Sequence, residues 1–177
     1  MNIQKKSMDE LERISKEEFL NSVKIPLVII LDNVRSLHNV GSVFRTCDSF
    51  LVEKIFLCGI TPTPPHRDIQ KTALGATETV NWEANDNIED CLQKLKAEEY
   101  MICAVEQVHD SEPLNQLNIN KGEKYALVFG NEVEGVSEQA LKHCNKFIEI
   151  PQLGTKHSLN ISVSAGIVIW EFAKKYF

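Results

Sequence analysis

Three short stretches hold most of the residues in this chain that could do chemistry. LVFGNEVEGVS (127–137) runs an apolar segment into a turn that sets two carboxylates, Glu132 and Glu134, between Gly130 and Gly135. A nucleotide phosphate would want backbone N–H groups and a lysine there, so the turn has the wrong sign for that ligand; hydroxyls, an adenine edge or a positive charge suit it better. LDNVRSLHNVGSVFRTCDSF (31–50) ends an apolar run in Asp32 and Asn33 and continues through Asn39 to Arg45. Arg45 falls off the helical stripe of Val40, Phe44, Cys47 and Leu51, so it points away from a core. IEIPQLGTKHSLNISVSAG (148–166) brings Ser158 and Asn160 to the mouth of a terminal helix. Each stretch also has a plain reading. Glutamates in turns are mostly solvated, an exposed arginine can pair with Asp48, and Ser and Asn before a helix are ordinary caps.

The elements that must position these residues follow from hydrophobic texture. Short apolar runs start at Ile25 (IPLVIIL) and recur at 54–58, 100–105, 125–129 and 146–150, with helix-like stretches between several of them. That rhythm predicts an α/β fold: a mostly parallel sheet with helices on both faces. Val40, Val43, Phe44, Cys47 and Leu51 form one helical stripe, and Ile88, Cys91, Leu92 and Leu95 another. Prolines make 59–68 an extended, exposed loop. Ser7 followed by Glu10 predicts a capped, mostly charged helix over 7–22, an N-terminal extension (1–24) ahead of the main domain (25–177). The terminal helix carries two stripes, Ile161/Ala165/Val168/Phe172 and Val163/Ile167/Trp170. One can cover the chain's own sheet and the other calls for a partner, which suggests a homodimer.

Composition narrows the class. A chain of 177 residues with 43% hydrophobic content supports one sizeable core. The five cysteines are scattered, with no Cys-x-x-Cys spacing and no metal-ligand cluster among cysteines and histidines, which fits a reducing cytoplasm. There is no signal-type segment and no long apolar run, so no membrane is expected. The net charge of −6 argues against a protein that coats nucleic acid through bulk positive potential, while leaving room for a local basic patch.

Taken together and in this order, HNVGSVFRT, LVFGNEVEGVS and IEIPQLGTKHSLNISVSAG resemble the three motifs of the SpoU (TrmH) family of the SPOUT superfamily of RNA methyltransferases, over roughly residues 25 to 175. The resemblance implies a C-terminal deep trefoil knot, a rare exception to unknotted topology, and a homodimer through the terminal helix and knot region. It implies S-adenosylmethionine as methyl donor and a ribose 2′-hydroxyl of tRNA or rRNA as acceptor. A base methyltransferase of the same superfamily and a non-catalytic RNA-binding protein are the alternatives. Carried onto this chain, Asn39, Arg45, Glu132, Ser158 and Asn160 match the family's polar site positions. The cofactor would lie against Glu106, Gln107, Phe129, Gly130, Asn131, Glu132, Ile150, Pro151 and Leu153, with Leu159 packing on its base. RNA contacts are expected from Arg35, Arg45, His66, Arg67 and Lys71, with Lys5 and Lys6 as further candidates.

Overall fold

The computed structural model describes residues 3–7 and 9–177. Its centre is the run that begins at Ile25. Strand β1 (Ile25–Asp32) is buried along nearly its whole length, because both faces of a parallel sheet are covered. Around it stand β2 (Val52–Cys58), β3 (Asn81–Asn85), β4 (Met101–Val105), β5 (Glu112–Pro113), β6 (Tyr125–Phe129) and β7 (Lys146–Glu149). All pair in parallel, in the order β3-β2-β1-β6-β4-β7-β5.

The period-2 alternation of β1 divides the core. Leu27, Ile29 and Leu31 face one layer, which contains Val40 and Phe44 of α2 (Leu37–Ser49), Ile69 of α3 (Arg67–Ala73) and Ala165, Val168 and Phe172 of α6 (Ile161–Ala173). Val28 and Ile30 face the other, with Ile88, Leu92 and Leu95 of α4 (Ile88–Ala97) and Ala140 of α5 (Glu138–Leu141). The layered architecture is the one the apolar runs predict.

From β4 the chain goes out to the edge at β5, returns to the centre as β6 between β1 and β4, and leaves again to lay β7 between β4 and β5. It then closes with α6 packed on α2. This out-and-back order is consistent with a knotted C-terminal part.

Three local features differ from the sequence expectations. Ser7 and Glu10 do bond reciprocally, but they close only the 3-10 turn Asp9–Leu11. Glu12 then takes a left-handed backbone (φ 46°), and helix α1 (Lys16–Asn21) starts afresh under a second capping box, Ser15 with Glu18. Met8, inside the expected helix, lies outside the described residues. The loop expected over 59–68 ends early, since α3 begins at Arg67. Strand β3 escaped the sequence reading because it is an edge strand, polar and only half buried (NWEAN), so no apolar run marks it.

Candidate active site

The ends of β4, β6 and β7 open onto one cavity of about 440 Å³. Its position follows from the topology: side chains at the carboxyl ends of parallel strands, beside a change in strand order, surround a crevice. Phe129, Ile148 and Ile150 give it an apolar floor, and Leu159, Asn160 and Ser164 close one side from the start of α6.

The glycine-bracketed turn forms its wall. Asn131 and Gly135 exchange backbone hydrogen bonds at 2.8 and 3.0 Å, so the turn doubles back on itself. A Cβ on Gly130 would sit 2.0 Å from the Gly135 carbonyl carbon, and only glycine allows that approach. Gly135 has φ +73°, and its Cβ would meet the Glu106 carboxylate at 2.2 Å. Glu106 uses that closeness: Oε2 accepts the Val136 N–H and Oε1 the Gln107 N–H, each at 2.9 Å. The Asn131 side chain braces the turn from within, accepting the Val133 N–H at 2.8 Å and donating to the Asn33 carbonyl at 2.8 Å.

Glu132 joins the three motifs. Its Oε2 accepts the Arg35 N–H at 3.0 Å, and its Oε1 accepts the Ser36 N–H at 3.0 Å and the Asn39 amide at 3.1 Å. Asn39 is buried (7% exposed), and its Oδ1 accepts the Asn160 Nδ2–H at 3.1 Å. Asn160 in turn caps α6 by accepting the Ser162 N–H at 2.9 Å. Partial burial pushes the Glu132 carboxyl up, but the N–H groups gathered on it outweigh this and hold it below the usual glutamate range. It stands ionised near neutral pH.

Asp32, which lies outside the cavity lining, supports the wall from behind and matches none of the three motifs. It is 1% exposed, and it accepts the Ser137 N–H and the Asn33 side-chain amide, each at 2.8 Å, fastening the far end of the turn to β1. A carboxylate closing an otherwise apolar strand was the available signal.

The expected residues are brought together unevenly. Glu106, Gln107, Phe129, Gly130, Asn131, Glu132, Ile150, Ser158, Leu159 and Asn160 all line the cavity. Pro151 and Leu153 do not, and Leu153 is fully exposed, although Ile150 and Gln152 on either side of Pro151 both line the cavity. Gln152 and Glu149 line the cavity in their stead.

Arg45 is exposed on α2, six residues past Asn39, which places it ~9 Å along the helix and ~120° round it. It is outside the cavity lining and in none of the ion pairs among the described residues. Asp48, the partner a plain surface reading gives it, instead accepts from Thr79. Of the other cations, Lys71 pairs with Asp68 at 2.6 Å and the His66 ring caps α3, leaving Arg35 and Arg67 exposed. The cysteines stay away from the chemistry: burial pushes the Cys103 and Cys144 thiols up to about 12.

Comparison with known proteins now decides the family. The model of the SpoU rRNA Methylase family matches residues 26–170. The chain belongs to the SpoU family. It is 30% identical over 162 residues to the tRNA (guanosine(18)-2′-O)-methyltransferase of Thermus thermophilus, covering 92% of this chain and 81% of that one. It is 32% identical over 146 residues to the 23S rRNA (guanosine-2′-O-)-methyltransferase RlmB of Neisseria meningitidis, covering 82% of this chain but only 57% of that longer enzyme. In three dimensions this SpoU chain is similar to the A. aeolicus TrmH/SpoU tRNA modifying enzyme, with a TM-score of 0.80 at 28% identity over 90% of this chain and 80% of the other. No helix among the described residues is long and apolar enough to cross a membrane.

Proposed function

We propose that this SpoU chain is a methyltransferase acting on the ribose 2′-hydroxyl of tRNA or rRNA, with S-adenosylmethionine as donor, and that it works as a homodimer in the cytoplasm. The observation that carries the reading is the Glu132–Asn39–Asn160 chain of hydrogen bonds, which ties the family's three motifs together beside one cavity. The residues present fit the donor. The cavity has the volume of a small-molecule site, an apolar floor for an adenine, and carboxylates suited to a cation.

When bound, S-adenosylmethionine supplies an electrophilic methyl whose C–S bond breaks with the electron pair kept by sulfur, while a new bond forms to the ribose oxygen and the hydroxyl proton leaves to phosphate or water. The task left to this chain is alignment. Glu132 fixes the start of α2, Asn39 and Asn160 hold the two helix ends in register, and Ser158 offers a hydroxyl at the cavity edge to the incoming ribose. Arg45 cannot serve as a base, because a guanidinium is always charged and has no acceptor. It instead grips the RNA phosphate beside the target and stabilises the developing alkoxide.

The homodimer is supported by the outer face of α6, where Val163, Ile167 and Trp170 are 49, 39 and 48% exposed, and where Phe50 and Phe177 cluster on Trp170. Because α6 packs on α2, a second copy covering that face lies beside the helix that carries Arg45. Arg45 is then free to serve the neighbouring copy's cavity. Arg35 and Arg67 extend the RNA contact.

The test is transfer of labelled methyl from S-adenosylmethionine to RNA from a strain lacking this gene, followed by nucleoside analysis. Label is expected in a 2′-O-methyl nucleoside; label in a methylated base would assign the chain to base modification instead.

A further inference from the structure

Four glutamates line the cavity, at 106, 132, 134 and 149, and no lysine, arginine or histidine does. None of the four belongs to an ion pair among the described residues. Three are held in place by neutral donors only. Glu106 has the N–H groups of Gln107 and Val136, Glu132 those of Arg35 and Ser36 with the Asn39 amide, and Glu149 the Ser111 hydroxyl at 2.9 Å. Such donors stabilise a carboxylate without cancelling its charge. The N-terminus of α6 opposes them with about half a unit of positive charge. The cavity is therefore strongly negative, over a floor of Phe129, Ile148 and Ile150 that screens charge less than water does.

This matters because the donor and its product differ in charge. S-adenosylmethionine carries a sulfonium and an ammonium against one carboxylate, a net of plus one. After transfer the thioether keeps only the ammonium and the carboxylate and is neutral. The adenosine and amino-acid groups are common to both, so hydrogen bonds and shape barely distinguish them.

We propose that the glutamates around this cavity discriminate between the two by charge, holding the cationic donor about tenfold more tightly than the neutral product at low salt. The proposal rests on the cofactor reading above. Its consequence is that methyl transfer removes the charge the cavity was holding, so the reaction itself weakens the grip on its product.

The experiment is calorimetric titration of the full chain, at low and high salt, with S-adenosylmethionine, with the thioether S-adenosylhomocysteine, and with an analogue carrying an amine in place of the sulfonium. Both cationic ligands are expected to bind about tenfold more tightly than the thioether at low salt, with the gap narrowing as salt is raised. Glu134→Gln and Glu149→Gln probe the charges directly; Glu134 is exposed and its side chain makes no hydrogen bond among the described residues, so removing its charge leaves the turn intact. Each is expected to cut the preference about twofold while leaving thioether affinity unchanged. Equal or tighter binding of the thioether, or a preference indifferent to salt and to both substitutions, overturns the proposal while the cofactor reading stands. Absence of binding by all three ligands overturns the cofactor reading itself, and the proposal with it.

Discussion

The two ends of helix α2 are treated very differently. At its start, Ser36 caps the helix, Glu132 clasps the N–H groups of Arg35 and Ser36, and buried Asn39 reaches across to Asn160. Two turns later Arg45 stands in solvent, outside the cavity and outside every ion pair among the described residues. The difference separates two tasks. On the function proposed above, the donor's half of the site is organised within one chain before anything binds, whereas the acceptor's half, at Arg45, is left open for RNA and a second copy to complete.

The sharpest way to break that contrast is at Arg45. Arg45→Ala is expected to lower methyl transfer by about 100-fold or more, the scale of removing a charged group from a developing oxyanion, while thermal stability and cofactor affinity stay at wild-type values. Arg45→Lys should recover little, because an ammonium cannot reproduce a two-pronged grip on phosphate. Wild-type transfer in Arg45→Lys would show that a point charge suffices. A drop in cofactor affinity in either variant would place Arg45 in the half of the site from which its position on α2 separates it.

The second test concerns what completes the open half. Trp170→Asp puts a charge in the middle of the exposed Val163/Ile167/Trp170 face. Sedimentation is expected to show monomer, with transfer reduced about tenfold or more and cofactor binding affected less, since the opposite face of α6 holds the helix to its own sheet. An unchanged sedimentation coefficient would remove this face from the dimer interface.

At the organised end the expected effects are smaller and of another kind. Glu132→Ala leaves the Arg35 and Ser36 N–H groups to water and frees the buried Asn39 amide, at a cost of about 1 kcal/mol in stability, at the low end because Arg35 and Ser36 are partly solvated already. Cofactor affinity should fall with it, as the turn that walls the cavity loses its tie to α2. An Arg45-like outcome, with transfer lost and stability and binding intact, would mean that Glu132 acts on the substrate directly and not through position.

How far the sequence reveals each half follows from the same physics. The sheet was legible because its central strands are buried on both faces and read as continuous apolar runs; β3, polar and at the edge, was not. The terminal helix declared its exposed stripe because Val163, Ile167 and Trp170 recur at helical spacing away from Ala165, Val168 and Phe172. The three motifs could be matched as residue types, but their connection through Glu132, Asn39 and Asn160 spans separations of 93 and 121 residues, and no local pattern carries such information. Asp32 and Ser137 are joined over 105 residues in the same way. Pro151 and Leu153 show the converse: Ile150 and Gln152 line the cavity and these two do not, so neighbours in a motif need not be neighbours at the site.

The smallest effect expected is also the most specific to the organised end, and it concerns pH. The Glu132 carboxyl is held below the usual glutamate value by the N–H groups that converge on it, against a burial contribution of opposite sign. A carboxylate whose folded value is depressed contributes stability in full above its unfolded value, and that contribution is lost as pH falls through the folded value. The stability difference between wild type and Glu132→Gln should therefore be constant from neutral pH down to the ordinary glutamate range and shrink only below it, measured as unfolding free energy against pH. Arg45→Ala, by contrast, should run parallel to wild type throughout, since Arg45 makes no ion pair among the described residues. A Glu132→Gln difference that instead persisted into acid would mean that packing of the turn, rather than the charge of Glu132, fastens the cavity wall to α2.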